Sequence, residues 1–123
     1  MALVICTGVD QALLKTRRLM LERAGHTVVM VMDETALRAA CKVHSFDVAV
    51  VGQALTSKMK RNISSLIRES CLDVRVLELY DNHTGRVLDD ADAWLMAPAE
   101  IPEDLPNRVD ELAKQGKRKQ HGA

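Results

Sequence analysis

The chain has 123 residues, 47% hydrophobic and 28% charged, and its 17 basic and 17 acidic side chains cancel. That size fits one domain with a real core rather than two, and the composition excludes disorder along the whole chain. Balanced charge and a single Phe, Tyr and Trp supply neither a basic field nor stacking platforms, so a nucleic-acid partner is not expected.

Residues 3–6, "LVIC", form a short apolar run closed by "TGVD", the pattern of a strand buried on both faces and followed by a turn. The opening "MALVICTG" has no basic flank, and its apolar run is too short for a signal peptide or a membrane span. A cytoplasmic protein without a membrane partner is therefore expected. Helix formers dominate from Gln11 to Ala24, with Leu13, Met20 and Ala24 on one face, Leu14 and Leu21 beside them, and Gly25 at the C-cap position.

"TVVMVM", residues 27–32, predicts a second strand. In "DETALRAACKVH", Asp33 is the expected N-cap, and Leu37, Ala40, Cys41 and His44 recur at helical spacing. "DVAVV" predicts strand three, ending at Gly52. After "GQAL", Thr56 or Ser57 can cap a third helix. Its Met59, Ile63, Leu66, Ile67 and Ser70 fall on one face, with Lys58, Lys60, Arg61 and Arg68 expected in water.

"VRVLEL" (74–79) and "AWLMA" (93–97) predict strands four and five. Between them, "YDNHTGRVLDDAD" has Gly85 at its middle and poor amphipathicity, so the helix there is expected to be short, distorted or absent. A last helix fits near 105–115, with Asp104 as cap, Pro106 in the first turn and Gly116 beyond the end. Residues 1–115 thus form the expected domain, and 116–123, "GKRKQHGA", a basic disordered tail. Alternating strands and helices imply a three-layer α/β domain around a parallel sheet with right-handed crossovers.

Three features resemble the receiver domain of bacterial two-component response regulators. They are "ERAGHTV" joining helix one to strand two, "FDVAVVG" as strand three, and "AWLMAP" as strand five with Pro98 behind it. The likeness covers residues 2–115. It implies a flavodoxin-like (βα)5 sandwich with a five-stranded parallel sheet of order 2-1-3-4-5, and a signalling role. The family's chemistry needs an aspartate at the tip of strand three, two acids after strand one to hold Mg²⁺, a strand-four hydroxyl and a strand-five lysine.

In this chain those positions fall on Gly52, on Gly8 and Val9, near Glu78, and on Ala97. Asp10, one residue past the acidic pair, offers one carboxylate. The resemblance is therefore to an atypical or pseudo-receiver: no catalytic residue, metal or cofactor is expected, and the chain is not read as an enzyme. Glycine offers no nucleophile. Expected partners are a signalling protein or a second copy of the chain, and the last strand, with Trp94, Met96 and Pro98, is where such contacts are looked for first.

The alternative is a small-ligand or nucleotide-binding α/β protein, in which Gly8, Asp10 and Gly52 line a crevice where strands one and three diverge. "TGVDQALLK" lacks a full dinucleotide or phosphate-loop motif, and glycines also serve plain tight turns. His26, His44, His83 and His121 show no metal-ligand spacing. Cys6, Cys41 and Cys71, about 30 residues apart, are read as buried reduced thiols. "KMKRNISSLIR", Arg75 and the basic residues at Lys114 and 117–119 read as a solvated face and tail, or as a contact for an acidic partner.

Overall fold

The computed structural model describes residues 2–116; the expected tail from residue 117 onward lies outside them. Five strands, β1 (Leu3–Thr7), β2 (Thr27–Val31), β3 (Val48–Val51), β4 (Arg75–Tyr80) and β5 (Ala93–Met96), alternate with α1 (Gln11–Arg23), α2 (Glu34–Val43) and α3 (Ser57–Ser70). Helix α4 (Asp104–Lys114) follows β5. All four strand pairings are parallel, in the order β2-β1-β3-β4-β5, which is the order expected.

Strand alternation divides the core into two layers. Val4, Cys6, Val48, Val50, Leu77 and Leu79 point toward Leu14 and Leu21 of α1 and Leu105, Val109 and Leu112 of α4. Ile5, Ala49, Val51 and Val76 point the other way, toward Leu37, Leu66 and Ile67 of α2 and α3. Because both faces are covered, the strands read as continuous apolar runs.

The helix ends obey local chemistry. The Asp10 carboxylate accepts hydrogen bonds from Ala12 and Leu13 N–H, Asp33 accepts from Ala36, and Thr56 from Met59. Gly25, just past α1, adopts φ +94°, a conformation that favours glycine. The expected Asp104 cap is corrected: Asp104 is the first residue of α4, and Glu103 stands at the cap position without a side-chain bond.

No helix forms between β4 and β5. Residues 81–92 instead make a turn, in which Asp81 accepts hydrogen bonds from His83 and Thr84 N–H, and then an extended strap that buries Leu88 and Ala91 against the α3 face.

The cysteine expectation is overturned for two of the three residues. Cys41 in α2 and Cys71 at the end of α3 are joined in a disulfide, with Cα atoms 5.2 Å apart. Packing of α2 against α3 brings them together across a 30-residue separation, which sequence spacing alone does not disclose. Only Cys6 remains a buried free thiol, and burial pushes its pKa up to about 12.

Candidate functional site

A parallel sheet gathers its strand ends at one edge, and there Thr7 pairs with both Val31 and Val51, and Tyr80 with Met96. Gly52 leaves β3 directly against β1: its N–H donates to the Thr7 carbonyl at 3.2 Å. A Cβ at position 52 would lie 2.9 Å from that same carbonyl oxygen and 3.1 Å from Nη1 of Arg17. The strand tip is thus closed on one side by backbone and on the other by a guanidinium.

Arg17 is the residue that the sequence did not expose as part of the site. It sits at i+3 from Leu14 and i−4 from Leu21, so it shares the buried stripe of α1 and is only 7% exposed. Its Nη2 donates to Oε1 of Gln53, the residue after Gly52. Burial acts to lower its pKa, and Asp10 works in the opposite direction. The group stays cationic all the same, because a guanidinium holds its proton in proteins.

The strand-one positions diverge from one another. Gly8 is buried and a Cβ there would touch Leu14 at 3.3 Å, Val9 is exposed, and Asp10 is spent on capping α1. Between Gly8 and α2 the free space is about 10 Å³, room for one water at most. In the crevice that the alternative reading places at Gly8, Asp10 and Gly52, Leu14 stands where a side chain at Gly8 would reach, and Arg17 where one at Gly52 would.

Glu78 is fully buried beneath α3. One carboxylate oxygen accepts from Lys60 Nζ at 2.8 Å, and the two oxygens together accept from Val87 and Leu88 N–H at 2.8–3.1 Å. Lys60 also donates to the Leu79 carbonyl at 2.7 Å. This corrects the expectation that Lys60 faces water: it is 1% exposed, while Met59, expected in the apolar face, is 37% exposed. A second polar cluster fastens the other end of the strap. Asp92 accepts from Val76 N–H at 2.7 Å and pairs with Arg75, and Arg68 reaches the carbonyls of Val74 and Asp90.

Ala97 closes β5, donating its N–H to the Tyr80 carbonyl at 2.8 Å, and is joined to Pro98 by a cis peptide bond. The expected interaction residues do not form one patch. Trp94 packs half-buried on the α2/α3 face, its indole N–H bonded to the Leu88 carbonyl and its ring covered by the Arg86 guanidinium at 4.8 Å. Met96 and Pro98 instead line a cavity of about 250 Å³ on the α1/α4 side, together with Arg17 and Gln53.

Solved structures share this fold. The receiver domain of a Francisella response regulator superposes with a TM-score of 0.74 at 17% identity, over 95% of this chain and 100% of that one. The fold is that of a response regulator receiver domain. A receiver domain from Clostridium thermocellum matches with a TM-score of 0.72 at 17% identity, over 94% of this chain and 96% of that one. The receiver domain of a Pseudomonas aeruginosa sensor histidine kinase, with magnesium coordinated in its active-site cleft, matches at 0.73 and 15% identity over 92% and 98%. A scan of family profiles and a search of curated proteins yield no match.

On this receiver fold the residues present do not fit a Mg²⁺ ion. Such a site takes one or two carboxylates along with phosphate oxygens. Here the two carboxylates near the strand-one tip, Asp10 and Asp33, each cap a helix, and a buried cation, Arg17, lies over the β3 tip. Among the described residues no three His, Cys, Asp or Glu side chains gather as metal ligands.

Proposed function

We propose that this chain is a pseudo-receiver: a signalling module of the two-component response regulator type that works through contacts with a protein partner and without phosphorylation at strand three. The observation that carries the reading is the relation between Gly52 and Arg17. Phosphoryl transfer to a receiver needs a carboxylate nucleophile beside a divalent cation. Here the strand tip has no side chain, and a protein cation packs against its α-carbon side. Glu78 and Ala97, at the positions where the family carries a hydroxyl and a lysine, add neither group. The partner is proposed to be a signalling protein of the cytoplasm. No helix among the described residues is long and apolar enough to cross a membrane.

The test is incubation of the full chain with acetyl phosphate and Mg²⁺, and separately with beryllofluoride and Mg²⁺, read by intact mass and by amide chemical shifts. No mass gain and no shifts at Gly8, Gly52 or Ala97 are expected. Stoichiometric modification, or saturable beryllofluoride shifts at those residues, overturns the reading.

A further inference from the structure

The cavity on the α1/α4 side holds a group whose electrostatics are unfinished. Its walls are apolar, with Leu13, Met20, Leu79 and Leu95 among them, and Arg17 is the one charged residue that lines it. Arg17 is 7% exposed. Among the described residues its guanidinium makes one hydrogen bond, to Gln53, and no ion pair. A guanidinium carries five N–H donors in a planar fork, and although the Asp10 carboxylate favours its charge, no carboxylate pairs with it at contact distance, which leaves the buried charge costly. Gln53 has its amide oxygen committed to Arg17, which leaves the amide N–H₂ as a further donor at the same mouth.

We infer that this cavity binds a small carboxylic acid with an apolar body, the carboxylate received by Arg17 and the Gln53 amide and the body lying against Leu79, Leu95 and Pro98. The charge count selects the head group. One buried cation and no second basic residue in the lining suit a monoanion, and the planar fork matches a carboxylate in bidentate fashion. A phosphate monoester would bring close to two charges to that single cation.

The volume selects the body. A dry protein cavity of about 150 Å³ accommodates benzene, so about 250 Å³ suits roughly ten non-hydrogen atoms by the same scale. The inference stands on Arg17 and its cavity, and holds whether or not strand three can be phosphorylated. It would give the domain a ligand signal at the same sheet edge, between α1, the residue after Gly52 and the segment joining β5 to α4.

The experiment uses the full chain and 3-phenylpropanoate as probe, titrated by amide chemical shifts, with 3-phenylpropanamide as the uncharged counterpart. Saturable shifts at Leu13, Gln53, Met96 and Ala99 are expected, with a Kd at or below about 1 mM, in keeping with a ligand of this size. The amide should bind about tenfold more weakly or worse, because it forfeits the charge-assisted bond. Arg17→Gln should weaken the acid by a similar factor and leave the amide unchanged.

Since Arg17 is buried and its variant can fail to fold, Ala99→Phe offers a second route. It narrows the cavity with the guanidinium intact and should abolish shifts from both compounds. Absence of saturable shifts, equal affinity for acid and amide, or full binding by Ala99→Phe overturns the proposal.

Discussion

Lys60 Nζ lies 2.8 Å from Oε2 of Glu78, with the two side chains 1% and 0% exposed. A buried ion pair is retained only when its remaining hydrogen-bonding capacity is met, and here it is: Lys60 reaches the Leu79 carbonyl, and Glu78 takes the N–H groups of Val87 and Leu88. The pair therefore does the work of the missing helix between β4 and β5. It secures α3 to β4 and holds the first part of the strap, whose backbone donors have no helical partners.

Removing one partner strands the other in the core. Lys60→Met is expected to lower stability by about 3–5 kcal/mol, and Glu78→Leu by at least as much because it also orphans two backbone N–H groups. The double variant should lose less than the sum of the singles, which urea unfolding of all four proteins measures. Additive losses would show that the two charges do not depend on each other.

The strands, the helices and the two-sided burial follow from periodicity, and the poor amphipathicity around Gly85 leaves a short, distorted or absent helix open, of which the structure has the last. The buried charges do not follow from it. Lys60 sits among Lys58 and Arg61 in a stretch that reads as solvated, and its partner is 18 residues away across a crossover. The usable signal was Glu78 itself: an acid inside "VRVLELY", a strand with both faces covered, must have a cation nearby, and the preceding helix is the nearest source. Arg17 gave the same kind of signal, an arginine in register with Leu14 and Leu21 on an otherwise apolar stripe. The Cys41–Cys71 bond had no such signal, because only the packing of α2 on α3 brings the two residues together.

Gly8 and Gly52 look alike in sequence but tolerate a methyl group differently. At Gly52 the added Cβ meets a fixed backbone oxygen at 2.9 Å, whereas at Gly8 it meets the end of the Leu14 side chain at 3.3 Å. Gly52→Ala is expected to cost about 1–3 kcal/mol, as overpacking does when backbone must move. Gly8→Ala should cost less, since a leucine tip can shift by a few tenths of an ångström. Gly52→Asp is expected to be destabilised as well and to remain unlabelled by acetyl phosphate, because one restored carboxylate still lacks a metal site. Equal costs for the two alanine variants in urea unfolding would contradict the geometry, and stoichiometric labelling of Gly52→Asp would contradict the functional reading.

The disulfide closes a 30-residue separation that spans β3 and all of α3. Restricting the unfolded chain over that length is worth about 3–4 kcal/mol in the loop-entropy picture. Cys41→Ser with Cys71→Ser, or prior reduction of the wild type, should lower unfolding stability by that order. Thiol titration gives an independent check. The folded chain should present no rapidly reactive thiol, since Cys6 is buried with its pKa pushed up to about 12. In denaturant without reductant one thiol should appear, and after reduction three. Three thiols before reduction would mean that α2 and α3 are not cross-linked.

His26 joins the start of β1 to the start of α4. Its Nδ1 accepts from Ala2 N–H at 3.1 Å, and the Pro106 carbonyl acts on the ring from α4. That pairing requires the neutral imidazole. Burial lowers its pKa below the ordinary value, and the net shift stays downward although Asp110 and the Pro106 carbonyl act to raise it.

A base whose pKa is depressed by folding binds fewer protons in the native state than in the unfolded one. Its stabilising contribution is complete above the unfolded value, about 6.5, and is lost as pH falls through the lower native value. Unfolding free energy should therefore decline as pH falls below about 6.5, above the range in which Asp81 and Asp110, both held below the usual carboxylate value by hydrogen bonds, take up protons. His26→Gln can keep one of the two backbone contacts and does not titrate, so its pH profile over that window should be flatter than that of the wild type. Urea midpoints collected across the window decide it: parallel profiles for the two proteins would remove His26 as the source of the acid sensitivity.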